Sequence, residues 1–147
     1  MDSMAQQYDP ENVFAKILRE ELPAHKVHED AWSLAFMDLM PQTDGHTLVI
    51  PKCPARDLLD LDPEYMGPTL ATAQKVARAV KQAFSAEGLM LVQLSGAAAG
   101  QTVFHVHFHI LPRWDGLDLR MHARDPAPAE QLAEHARRIR EALANEG

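Results

Sequence analysis

Apolar and polar positions along this chain recur with two different periods. In "DPENVFAKILREEL" the apolar residues Val13, Phe14, Ile17 and Leu18 have helical spacing; Asp9 can cap, Pro10 suits a first helical position, and Pro23 ends the run. "AHKVHED" and "WSLAFMDL" have the character of short strands joined by a turn near Glu29 and Asp30, and "GHTLVIPK" is a third strand closed by Pro51. "LDPEYMGPTLATAQKVARAVKQAFSAEG" predicts a long helix, capped by Asp62, opened by Pro63 and closed by Gly88. Its predicted buried face is Met66, Leu70, Ala73, Ala77, Val80 and Phe84, with Pro68 placed to kink the second turn. "LMLVQL" and "TVFHVHFHIL" follow as strands around the small-residue loop "SGAAAGQ", and Pro112 stops the second. The stretch "PAPAEQLAEHARRIREALANEG" predicts a C-terminal helix with Leu132, Ala136, Ile139 and Leu143 inward and alternating charge outward.

The order is helix, three strands, helix, two strands, helix. Hairpin-length connections near the start predict an α+β fold, an antiparallel sheet with helices to one side. A parallel α/β sheet would need more crossovers than one long helix supplies.

Composition narrows the function. A chain of 147 residues, 46% hydrophobic, suits one domain with one core. A formal net charge of −7 argues against long nucleic acid, which demands a basic surface; a small anion still fits, because backbone N–H groups bind phosphate on acidic proteins. No apolar run is long enough for a bilayer, so no membrane partner is expected. The start "MDSMAQQYDP" lacks the basic and apolar regions of a secretory signal, so a short flexible tail over residues 1–9 and a cytoplasmic location are expected. Cys53 is the single cysteine, which excludes an intramolecular disulfide and a thiolate-rich zinc site within one chain.

The chemistry is concentrated in "GQTVFHVHFHILPR". On a strand, His105, His107 and His109 share one face, roughly 6.6 Å apart in succession, while Val106, Phe108 and Ile110 share the other and belong against the core. Two chemistries fit such a face. One is a metal site, since imidazole is a common ligand at neutral pH. The other is nucleophilic attack on phosphorus by one neutral imidazole, with its neighbours fixing the tautomer and binding phosphate oxygens. The preceding "SGAAAGQT" lets backbone N–H groups approach an oxyanion, and Gln101 and Thr102 add an amide and a hydroxyl, which favours phosphate over a cation.

"HVHFHIL" resembles the His-x-His-x-His-x-x signature of the histidine triad superfamily. "VFAKILREELPAHKVHED" is similar to that family's opening helix and first strand, and "AFMDLMPQTDGHTLVIPK" to its next two strands, so the likeness runs over residues 12–113. "FAKI" and the chain's size resemble the Hint-like branch, and "AGQTVFHVHFHILPR" also resembles the fragile-histidine-triad branch. The resemblance implies a five-stranded antiparallel sheet, with one long and one short helix packed on it and a C-terminal helix added. It implies a homodimer, a purine nucleotide ligand of the AMP type and hydrolysis through a nucleotidyl-histidine; no cofactor or metal is required where donors meet the charge on the phosphate oxygens.

On these positions the resemblance implies His107 as nucleophile and His109 as donor to the phosphate oxygens. His105 and His46 support the nucleophile, and Asp38 receives the ribose hydroxyls. Phe14, Ile17, Leu22 and Phe36 wall the base, and Gln101 and Thr102 lie beside the α-phosphate and leaving group. The histidine triad domain is then 10–113, and 114–147 is a C-terminal extension. The chain departs from the family at Leu94 and Ser95, where asparagine is usual; Leu94 has no amide to offer near the phosphate, and Ser95 is the available substitute.

The leading expectation is a hydrolase of nucleoside phosphoramidates or related nucleotides. The alternatives are a diadenosine-polyphosphate hydrolase or nucleotidyl transferase, a metal-dependent hydrolase on the same histidines, and a nucleotide-binding regulator with little turnover. Trp32 and Trp114 are expected to stack on a base, make a dimer contact or pack internally. His25, His28, His122 and His135 are expected in solvent, as are Arg113, Arg120 and Arg124, which are otherwise placed to meet a leaving group.

Overall fold

The apolar stretches of this chain are too short to bury themselves, and the central strands of the sheet they form are covered on both faces. The computed structural model describes residues 7–118 and 125–146; Arg120, His122 and Arg124 lie outside the described residues. The strands β1 (Lys26–Glu29), β2 (Ser33–Met37), β3 (Thr47–Pro51), β4 (Gly88–Gln93) and β5 (Phe108–Arg113) form one sheet in the order β1-β2-β3-β5-β4. Every neighbouring pair is antiparallel. The helices are α1 (Val13–Leu18), α2 (Pro63–Ala83) and α3 (Ala129–Glu146). The α+β class and the five-stranded antiparallel sheet are as the sequence implies.

Side-chain alternation divides the core. Ala35, Met37, Val49 and Ile110 face α2 and α3, meeting Ala73, Val76, Ala79 and Val80 from one helix and Leu132, Ala136 and Ile139 from the other. Leu34, Phe36, Leu48 and Ile50 point the opposite way, onto Phe14 and Ile17 of α1. Helices to one side therefore describes α2 and α3 only. Cover on both faces explains why every residue of β2 and β3 is buried.

Four local expectations are corrected. The first helix is six residues long and is capped by Asn12, whose side chain accepts from Ala15 N–H; Asp9 instead accepts from Glu11 N–H. Helix α2 turns Thr69, Thr72, Ala73, Val76, Ala79 and Val80 inward and leaves Leu70 exposed. Thr72 can be buried because its hydroxyl accepts from Ser33 Oγ (2.8 Å) and donates to Asp30 Oδ2 (3.1 Å). His135, expected in solvent, is buried edge-on against the Phe84 ring. The last strand begins at Phe108, not Thr102. Its register with β3 pairs Val49 with Phe108, which would bring Pro51 opposite Val106. Proline has no N–H for that ladder, so pairing stops, and Val106 N–H bonds to the Ala55 carbonyl instead.

Trp32 packs edge-on against Tyr65, and Trp114 Nε1 donates to the Phe84 and Ser85 carbonyls, so both tryptophans make internal contacts. No helix among the described residues is long and apolar enough to cross a membrane.

Candidate active site

The four histidines gather on the α1 side of the sheet. His109 lies in β5 opposite Leu48 of β3, which in turn lies opposite Phe36 of β2, so one cross-strand row runs from the α1 core to the triad. His105 and His107 sit just ahead of β5, where the chain has left the ladder. The rings of His107 and His109 are 5.0 Å apart, those of His46 and His109 5.1 Å, and Phe14 meets His107 edge-on at 4.9 Å.

Hydrogen bonds assign each tautomer. His107 Nδ1 lies 2.7 Å from the carbonyl oxygen of His105. A carbonyl only accepts, so the proton is on Nδ1 and Nε2 keeps its lone pair. His105 Nε2 lies 2.9 Å from the Pro51 carbonyl and carries its ring proton there. His105 Nδ1 is the lone-pair nitrogen, met by the Tyr8 hydroxyl at 2.7 Å. His46 Nδ1 accepts from Gln42 N–H at 3.0 Å, so its proton is on Nε2, which donates to His109 Nδ1 at 2.9 Å. His109 then holds its own proton on Nε2.

The four rings thus fall into two kinds. His105 (0% exposed) and His46 (1%) have both nitrogens engaged. His107 (7%) and His109 use only Nδ1. Thr69 Oγ1 is the one buried side-chain polar atom without a partner among the described residues, so the unpartnered Nε2 atoms of His107 and His109 reach solvent. One offers a lone pair and the other an N–H, on rings whose centroids are 5.0 Å apart.

Burial keeps all four rings neutral. Loss of water lowers His107, and lowers His105 to about 4 against the pull of the Pro51 carbonyl. Burial and then neighbouring imidazoles lower His109 to about 4 and His46 to about 3. Burial pushes the Asp38 carboxyl up to about 6, although its Oδ1 accepts from Met40 N–H. Asp38 Oδ2 stands 3.4 Å from His46 Nε2. Asp38, His46 and His109 each offer one ligand atom within 4.8 Å of the others, a spacing that can hold a metal ion.

The remaining predicted residues separate into those near the triad and those turned to the loop. Phe14, Ile17 and Phe36 form one buried cluster beside His107. Leu22 is exposed and lines, with Ile17, a groove at the end of α1. Gln101 is buried with its amide fully engaged: Oε1 accepts from Gly96 N–H, and Nε2 donates to the Arg56 and Val103 carbonyls. Its role in the structure is to close the loop that carries exposed Thr102 into the triad. The Ser95 hydroxyl accepts from Leu58 N–H and exchanges hydrogen bonds with Gln93. Leu94 packs toward Gly100, where a Cβ would come within 3.2 Å of its Cδ1.

Sequence reasoning missed Tyr8, the Pro51 carbonyl and the Gln42 N–H. The two backbone groups leave no mark on side-chain identity. Tyr8 had one signal, an aromatic ring alone in a polar run.

A HIT domain model matches residues 19–116. A HIT-like protein of Borreliella burgdorferi is 44% identical over 104 residues, covering 69% of this chain and 75% of that protein. Adenosine 5'-monophosphoramidase HNT1 of Saccharomyces cerevisiae is 36% identical over 70% of this chain and 63% of its own length. Adenylylsulfatase HINT3 of Arabidopsis thaliana is 35% identical over 86% of this chain and 68% of its own. Among solved structures, a Hit-like protein of Bartonella henselae superposes with a TM-score of 0.87 at 49% identity, covering 92% of this chain and 99% of that one. A zinc-bound histidine triad protein of Mycobacterium smegmatis gives 0.82 at 39% identity, covering 92% and 95%.

Proposed function

Since this chain belongs to the HIT family, we propose that it is a nucleotide hydrolase that cleaves a nucleoside monophosphate from its leaving group through a covalent intermediate on His107. The observation that carries this reading is the clamp of His107 Nδ1–H on the His105 carbonyl, which leaves Nε2 as an open lone pair. A neutral imidazole is a competent nucleophile near pH 7. Its Nε2 attacks the α-phosphorus, the P–N bond forms, and the bond to the leaving group breaks; an amine leaving group takes its proton from solvent. Water then attacks the same phosphorus, the P–N bond breaks with its electron pair returning to His107 Nε2, and the water's surplus proton goes to solvent, replacing the one the leaving group took. His109 Nε2–H donates to a non-bridging oxygen beside it, where charge builds in the transition state.

The other residues fit around that step. Asp38 is the carboxylate available for two ribose hydroxyls, ionised at neutral pH with its carboxyl near 6. Phe14, Ile17, Leu22 and Phe36 supply the apolar wall for a purine. Thr102 is exposed on the loop that Gln101 closes, so its hydroxyl is available to a leaving group. The names of HNT1 and HINT3 support an adenosine 5'-phosphoramidate or adenylylsulfate class of substrate. The outer edge of β4 supports a homodimer: the strand ends the sheet, and Leu91 is 53% exposed along it.

The metal-dependent reading has one feature in its favour, the approach of Asp38, His46 and His109. The donor set does not suit it in the neutral state, because Gln42 N–H occupies His46 Nδ1 and places the ring proton on Nε2, the nitrogen that faces the other two ligands. Mass spectrometry of intact protein after incubation with an adenosine phosphoramidate tests the proposal. The wild type and His109→Ala are expected to carry one adenylyl group and His107→Ala none. An adduct that persists in His107→Ala overturns the assignment, and activity that disappears with a chelator and returns with metal favours the metal-dependent reading.

A further inference from the structure

Tyr8 stands before α1, outside the residues matched by the family model, yet it reaches the first histidine of the triad. Its hydroxyl lies 2.7 Å from His105 Nδ1, and the two rings meet edge-on at 5.7 Å. Because His105 Nε2 faces the Pro51 carbonyl, Nδ1 carries no proton and the phenol is the donor. His105 is therefore held at three points: Nδ1 by Tyr8, Nε2 by Pro51, and its own carbonyl by His107 Nδ1–H. That carbonyl is the group that decides which nitrogen of His107 has the lone pair.

We propose that Tyr8 is a positioning residue for His107: by donating to His105 Nδ1 it fixes the ring and backbone of His105, and the His105 carbonyl then holds the His107 proton away from the attacking nitrogen. The inference rests on His107 being the nucleophile. With the hydroxyl removed, a lone pair in a fully buried ring has no donor. The ring can answer by moving its proton to Nδ1, which sets the bare Nε2 against the Pro51 carbonyl, or by shifting. Either response displaces the carbonyl that His107 leans on. A tyrosine that only seals the site needs its ring and not its hydroxyl.

Tyr8→Phe keeps the edge-on ring and deletes the donor. Two-bond 1H–15N spectra of 15N-histidine protein are expected to show wild-type His105 protonated on Nε2 and His107 on Nδ1. In Tyr8→Phe the His105 Nδ1 resonance moves toward a free lone pair, and His107 shows both tautomers. Turnover of an adenosine phosphoramidate is expected to fall about five-fold in kcat with KM held within two-fold. Tyr65→Phe, whose ring packs on Trp32, is expected to match wild type. A wild-type His105 protonated on Nδ1 overturns the inference before any variant is made. A Tyr8→Phe protein with unchanged histidine resonances overturns it, and so do altered resonances with an intact kcat. Should the wild type form no adduct at His107, the reading of the reaction fails separately, and the tautomers in Tyr8→Phe alone decide what Tyr8 does.

Discussion

The two faces of the sheet are built for different ends. The α2 and α3 face is a broad apolar layer in which aliphatic side chains from two long helices meet the strands. The α1 face is covered by a six-residue helix and a small apolar cluster, and beside that cluster lie four imidazoles and a raised carboxyl. Burial does opposite work on the two. On the first it supplies stability by removing hydrocarbon from water. On the second it suppresses charge, so that one ring keeps a lone pair at neutral pH, and the fold bears the cost of desolvating the polar groups.

If chemistry lives on the α1 face alone, His107→Ala should lower turnover by about 1,000-fold or more while the unfolding midpoint stays near wild type. A residual rate within ten-fold of wild type would move the nucleophile elsewhere. The next effect is in pH. His46, His105 and His109 have folded pKa values lowered to about 3, 4 and 4, so their contribution is complete above the unfolded value near 6.5. As pH falls from 6.5 toward those values, the unfolded chain binds protons that the folded one refuses, and stability drops. Asp38 works the other way: with its folded value raised to about 6, it loses stability as pH rises from its unfolded value of 3.8 through that range. Three rings outweigh one carboxyl, and chemical denaturation should show a loss on the order of 4 kcal/mol between pH 7 and pH 5. A flat or rising profile would show that the rings are not desolvated as the geometry has them.

The opposite face calls for the converse experiment. Ile139 is fully buried in the α3 layer, and Ile139→Ala should cost about 3 kcal/mol in denaturation while kcat at a permissive temperature stays within two-fold of wild type. A parallel fall in kcat would mean that the two faces are coupled through β2, β3 and β5, strands they share.

Legibility in the sequence follows the same division. Alternation in "HVHFHIL" is a local pattern, so the shared face of the histidines and the placement of Val106, Phe108 and Ile110 in apolar clusters were readable. The early end of that strand was not, because it depends on which β3 residue stands opposite, and Pro51 acts only through the register. The family resemblance named His105 and His46 as supports, but their contacts run to Pro51, Gln42 and Tyr8, groups distant in the chain or hidden in its backbone. On α2, hydrophobicity pointed to Leu70 and the fold chose Thr69 and Thr72. For Thr72 the polar partners are visible, and they are Asp30 in the turn before β2 and Ser33 at the start of that strand.

That turn gives the smallest effect and a polar exception on the apolar side. Asp30 Oδ1 accepts from Trp32 N–H and Ser33 N–H and lies 3.2 Å from the Ser33 hydroxyl, whose proton is shared with Thr72, and Oδ2 meets His28 Nε2 and the Thr72 hydroxyl. Burial raises its carboxyl, but these donors outweigh burial and bring it to about 2. A depressed carboxyl stabilises above its unfolded pKa of 3.8 and loses that contribution as pH falls through the folded value. The side chain is 37% exposed, so water screens the charge, and Asp30→Asn should cost about 1 kcal/mol at pH 7. The difference from wild type should shrink between pH 3.8 and 2, where the native carboxyl also becomes neutral. Turnover should not change, because the network ties the β1–β2 turn to α2 on the face away from the triad. A penalty that stays constant down to pH 2 would assign the loss to amide geometry at Thr72 rather than to charge.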